Sequence, residues 1–90
     1  MASSTIRKEV ISISATTPSE ANNYQVVHTG TPLYGNYVVV GVAYYMNYLW
    51  VTKMNGNIST VYVDSQNKVY MQITDSSIVD LPCRILFQRI

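Results

Sequence analysis

Few side chains in this sequence have the types that covalent or acid–base chemistry needs, and their spacing assembles none of the usual constellations. A nucleophile–base pair would have to join His28, the single histidine, to Cys83, the single cysteine, or to a serine, with a carboxylate behind it. Cys83 instead opens the run CRILFQRI at a position that faces a core, where a lone cysteine acts as a small hydrophobe. His28 closes the short run YQVVHT with no catalytic signature around it. Glu9, Glu20, Asp64, Asp75 and Asp80 are the only carboxylates for acid–base work, and all but Glu9 fall in or beside turns, where Asp routinely caps the backbone. One Cys and one His cannot build a metal cluster, and one Cys cannot make an internal disulfide. Neither GxGxxG nor GxxxxGK[ST] can be written anywhere, so no phosphate loop is expected. The expectation is a chain that is not an enzyme and carries no cofactor and no metal.

The aromatic residues are more informative. Eight tyrosines and one tryptophan are present, and Tyr44, Tyr45, Tyr48 and Trp50 cluster around a tight reversal at Met46-Asn47. Planar rings stack on sugar faces, and amides hydrogen-bond hydroxyls, so Tyr45, Asn47, Tyr48 and Trp50 form a candidate glycan platform. The same rings also suit strand packing and cross-strand pairing, or a subunit interface, where aromatics are enriched. Single-stranded nucleic acid would need these rings interleaved with a basic groove. Arg7, Lys8, Lys53, Lys68, Arg84 and Arg89 are scattered instead, and the net charge is +1, so nucleic acid is not an expected partner. Asn57-Ile58-Ser59 matches an N-glycosylation acceptor, but the sequence shows no secretory signal to go with it.

These residues must be positioned by strands. The stretch Tyr37–Ile73 holds four apolar runs separated by short breaks, and the expectation is a four-strand meander. Tyr37–Tyr45 is apolar on both faces, which reads as a central strand covered on each side, and Gly41 within it suggests a bulge. Met46-Asn47 links it to Tyr48–Met54, where Tyr48, Trp50 and Thr52 share a face. Asn55-Gly56 is a strong type I′ hairpin signal, with Ile58–Asp64 returning from it. Ser65-Gln66-Asn67 turns into Lys68–Thr74, with Val69, Met71 and Ile73 facing inward.

Before this stretch, Thr5–Ser14 alternates as a strand with Arg7, Lys8 and Glu9 blunting its edge, and Tyr24–Thr29 is a short second strand. Residues 15–23 and 30–36 read as connections. After it, Asp75–Pro82 is a longer connection with a short extended piece at Ile78–Val79, and Cys83–Ile90 is the last strand. About seven strands at turn spacings of roughly 8–12 residues, with no significant helix, predict an all-β fold: a small antiparallel, jelly-roll-like β-sandwich. One domain over residues 1–90 is expected, with residues 1–4 a disordered start.

A chain this short buries only about 60–65% of the surface it exposes when unfolded. Charged residues make up 12% of it, against about a quarter in ordinary soluble proteins. Both facts favour a homo-oligomer, since disulfides and metals are out of reach. No stretch approaches the roughly 18 apolar residues of a membrane helix, and MASSTIRKEV lacks the apolar core of a secretory signal.

From Tyr37 to Ile90, the order NYVVVGVAYY, YLWVTKMNGNISTVYVDSQNKVYMQI and CRILFQRI resembles the small β-sandwich modules at the C-terminal ends of phage and prophage minor tail or fibre proteins. The shared features are a VVG strand, a short aromatic-rich reversal and a final strand of the R-I-L-F kind. The resemblance implies a virion-associated tail domain, commonly trimeric, that contacts a host-surface glycan or neighbouring tail proteins. It carries over no functional residue. A free-standing carbohydrate-binding domain is the alternative.

Overall fold

The computed structural model describes residues 9–52 and 58–90. Seven strands form two antiparallel sheets: β1 (Val10–Thr16), β2 (Gln25–His28), β3 (Tyr37–Met46), β4 (Leu49–Thr52), β5 (Ile58–Val63), β6 (Val69–Ile73) and β7 (Pro82–Arg89). The first sheet has the order β1-β7-β3-β4 and the second β2-β6-β5. Pairing is nested at the chain ends, β1 with β7 in one sheet and β2 with β6 in the other. The result is a small antiparallel β-sandwich of about seven strands, as the alternation of the sequence predicts.

The period-2 pattern decides which faces meet. Val69, Met71 and Ile73 of β6 and Cys83, Ile85 and Phe87 of β7 are all buried. Ile11, Ile13 and Ala15 of β1 pack against the same core, and Val61 and Val63 of β5 reach it from the other sheet. Leu33 and Ile78, from connections, complete it. Fully burying side chains of this size is worth about 1.5–3 kcal/mol each, so this one layer of residues holds the two sheets together.

Several finer expectations need correction. The run apolar on both faces of β3 is not covered on both sides. A register shift between Val39 and Gly41 switches its phase, so Val39 packs inward, Val42 and Tyr44 follow it, and Val38 and Val40 are exposed on the outer face. The bulge expected at Gly41 is therefore what lets the strand look apolar throughout. The four-strand meander is broken as well. β4 pairs with β3, whereas β5 pairs with β6, so the two strands belong to different sheets. The hairpin turn at Asn55-Gly56 lies outside the described residues. Val51 of β4 and Val61 of β5 both pack against the core, from different sheets. In place of an extended piece at Ile78–Val79 there is one 3-10 turn, Ser76–Ile78, with Asp75 Oδ1 accepting from the Ser77 backbone N–H at 2.8 Å.

The β5–β6 turn forms as its residues dictate. Asn67 holds a left-handed backbone (φ 62°), and the Asp64 carboxylate accepts from the N–H groups of Gln66 (2.9 Å) and Lys68 (3.0 Å). This is a type I turn followed by a left-handed residue, the usual three-residue hairpin connection. Asn67 Oδ1 also accepts from the N–H groups of Leu33 (3.0 Å) and Tyr34 (2.9 Å), which ties the 30–36 connection to the end of β5.

Candidate functional site

The β3–β4 hairpin closes through two residues only, since Met46 pairs with Leu49. Both loop residues are left-handed, Asn47 at φ 54° and Tyr48 at φ 64°. Two positive φ values make the loop a type I′ turn, whose twist matches that of the flanking strands. Asn tolerates this conformation, but an aromatic residue there is an outlier costing roughly 1–3 kcal/mol. The reversal thus sits one residue later than Met46-Asn47, and Tyr48 belongs to the turn.

Register then places the rings. Tyr45 pairs with Trp50 across the hairpin, with ring centroids 5.2 Å apart and planes tilted by 58°. Ala43 lies between Arg84 of β7 and Thr52 of β4 in the neighbouring row. Its small side chain lets Arg84 reach diagonally, and the guanidinium carbon stands 5.4 Å from the Trp50 ring centroid. Such a cation–π contact contributes about 0.5–1 kcal/mol at an exposed site. Tyr48 is 90% exposed, Leu49 66% and Trp50 49%. Tyr44, on the opposite face, is buried in the core.

All four residues singled out from the sequence therefore lie on one hairpin, with Tyr45 and Trp50 in contact and Asn47 and Tyr48 forming the loop. Arg84 and Leu49 join them and were not foreseen. Arg84 is far away in sequence and becomes a neighbour only through the β3–β7 register. A second aromatic group was also missed. Tyr62 stacks on Tyr70 (4.9 Å, 10° between planes), and Tyr24 meets Tyr62 edge-on (5.3 Å, 68°) on the outer face of the second sheet. Its signal was the outward alternation of Tyr62 and Tyr70, but their pairing depends on the strand register.

The remaining chemistry-bearing groups are in structural settings. Cys83 is buried, and desolvation pushes its thiol up to about 11. His28 Nε2 lies 2.7 Å from Thr31 Oγ1, within its own connection. Among the described residues no group of three or more His, Cys, Asp or Glu side chains is placed to hold a metal ion, and no helix is long and apolar enough to cross a membrane. No protein-family model, curated protein or solved structure matches this chain.

Proposed function

We propose that this chain is a non-enzymatic interaction module that self-associates, in the manner of a phage-type tail domain, through the β3–β4 hairpin end. One observation carries the reading: Tyr48 is held at φ 64° with 90% of its surface in water, beside the exposed Leu49 and the half-exposed Trp50. A backbone outlier that displays a large ring, where glycine would relieve the strain, fits a contact residue. Trp, Tyr and Arg are also the residues most often found as interface hot spots, and here Trp50, Tyr48, Tyr45 and Arg84 gather at one place. The low charge content of the chain agrees with a partner surface.

The test is the solution mass by light scattering across a concentration series. The expected result is an oligomer, a trimer in the tail-module reading, that shifts toward monomer on Trp50→Ala. A monomer at every concentration sinks the proposal.

A second reading is supported by the half-exposed Trp50: the hairpin is a glycan platform of Tyr45, Asn47, Tyr48 and Trp50. Against it, Tyr45 and Arg84 already occupy space over the Trp50 ring. A monomer that binds a saccharide and loses binding on Trp50→Ala without unfolding would favour this reading.

A further inference from the structure

Each sheet ends in two outermost strands, β1 and β4 in the first and β2 and β5 in the second. Three of these edges are short or interrupted. β2 and β4 have four residues each, β2 shifts register between Val26 and His28, and β5 shifts between Ile58 and Thr60. Short edge strands and bulges keep a sheet from pairing with another chain. β1 has neither. It runs for seven residues, VISISAT, in unbroken register with β7, and contains no charge, proline or glycine.

The register shows which backbone groups of β1 face outward. Arg89 N–H donates to the Glu9 carbonyl and Thr17 N–H to the Leu81 carbonyl, each at 2.8 Å. Both bonds continue the β1–β7 ladder, in which Val10 faces Gln88 and Thr16 faces Pro82. Bonded and non-bonded pairs alternate in an antiparallel ladder, so Ile11, Ile13 and Ala15 turn their N–H and C=O groups toward β7. Pro82, which has no N–H, accordingly sits at a non-bonded pair. The N–H and C=O groups of Val10, Ser12, Ser14 and Thr16 point the other way, where among the described residues no strand pairs with β1. The core thins in the same direction: Ile11, Ile13 and Ala15 are half-buried, whereas Phe87, Ile85 and Cys83 opposite them are buried.

We infer that the free edge of β1 pairs antiparallel with β1 of a second copy, about a two-fold axis at Ile13. The strand suits itself in that register, since a serine flanks Ile13 on each side and the β-branched Val10 and Thr16 close the two ends. Ser12 then faces the second copy's Ser14, and Val10 its Thr16, so every outward N–H and C=O of β1 finds a partner. A slip of two residues either way strands some of them. On the inner face Ile13 meets its counterpart and Ile11 meets Ala15, which carries the core across the pair. No like charges oppose each other, and the Glu9 carboxylate accepts from Tyr37 O–H at 2.6 Å, across β7 and away from the edge. The contact lies at the opposite edge of the sheet from β4 and goes beyond the hairpin association. A single strand pair is a small interface of the weakly associating class, with a Kd of about 0.1–1 mM, a concentration reached where copies are held side by side.

The experiment follows the backbone amide signals and the diffusion of the isotope-labelled full chain on dilution from about 1 mM to about 0.05 mM. In the unaltered chain and in Leu49→Asp alike, concentration-dependent shifts are expected at Ser12 and Ser14, with slower diffusion at the high end. Ser12→Pro deletes an outward N–H and leaves the β7 ladder whole, as proline is tolerated on an edge, and should weaken the pairing about tenfold or more. Ile13→Cys should form a disulfide-linked dimer with dissolved oxygen as the oxidant, because facing non-bonded pairs bring Cα atoms to about 4.5 Å. Val10→Cys, far from its own counterpart in this register, should not. The cross-link decides if Ser12→Pro fails to fold. Shifts absent from β1, unchanged pairing in a folded Ser12→Pro, or a Val10→Cys dimer formed as readily as the Ile13→Cys one overturn the inference. So do Ser12 and Ser14 amides protected from exchange in the most dilute sample, because the edge is then covered within one chain. These outcomes leave the hairpin contact standing, and the Leu49→Asp arm reads the β1 pair without it.

Discussion

Tyr48 is where stability and display part company. A type I′ turn needs φ above zero at both loop positions, and glycine reaches it without a Cβ penalty. Tyr48→Gly is therefore expected to raise stability by about 1 kcal/mol, which is about 4–8 °C in melting temperature for a domain of this size. The same change removes the most exposed ring of the hairpin, so assembly should weaken as the monomer becomes more stable. Calorimetry on a dilute sample and light scattering on a concentrated one measure the two effects separately; a drop in the monomer's melting temperature would contradict the strain argument. Asp64 carries a different kind of dependence. The backbone N–H of Lys68 is the largest cause holding its carboxyl below the ordinary 3.8, burial opposes it, and the Gln66 N–H adds to the lowering. A folded pKa below the unfolded one means that the unfolded chain binds the proton more readily. The contribution of Asp64 is thus complete above 3.8 and is lost as pH falls through the lower, folded value. Asp64→Ala should flatten this part of the acid-unfolding profile and leave the profile near neutrality with the same shape.

At the scale of elements, most strands and their inward faces could be read from alternation, because a residue's side of the sheet depends only on its immediate neighbours. Cys83, Ile85 and Phe87, and Val69, Met71 and Ile73, are buried in the phase the sequence indicates. Local turn chemistry was equally legible at Ser65-Gln66-Asn67. The aromatic reversal was legible too, to within one residue, because Asn47 tolerates a left-handed backbone while Tyr48 adopts it against its preference. What could not be read were relations between distant segments: the placement of β4 and β5 in different sheets, the reach of Arg84 over Trp50, and the role of Thr17. Thr17 looks like loop filler but is buried at the end of β1. Its hydroxyl donates to the Ile78 carbonyl at 2.5 Å and accepts from the Leu81 N–H at 2.8 Å, while its own N–H donates to the Leu81 carbonyl at 2.8 Å. Thr17 thereby fastens the connection carrying Ile78 onto the core. Thr17→Val keeps the shape and strands two backbone groups, which costs about 1–3 kcal/mol each when both stay buried. Denaturant unfolding should show a lower midpoint with an unchanged slope; an unchanged midpoint would mean that water replaces the hydroxyl.

For the molecule as a whole, the issue is how a small sandwich with little charge manages its outer faces. Buried residues form a single layer between the sheets, and both outer surfaces retain apolar area: Val38, Val40 and Trp50 on one, Tyr24, Val26 and Tyr62 on the other. A monomer would leave that area in water, and area of this kind is usually covered by association. If the hairpin end is the contact, three consequences follow together. The melting temperature rises with protein concentration, because only the folded state assembles. Leu49→Asp, at a position 66% exposed, leaves the monomer fold intact and abolishes the rise, since a carboxylate would have to lose its water within the contact. Added salt leaves the oligomer in place, because Arg84 is the one charge among the described residues of the patch and screening acts on charges. Thermal unfolding across a concentration series, repeated for Leu49→Asp and at high salt, measures all three. A rise that survives Leu49→Asp would move the contact off the hairpin, with the free edge of β1 and the outer tyrosines of the second sheet next in line. A rise that vanishes in salt would point to Arg7, Lys8 and the other scattered charges in place of the rings.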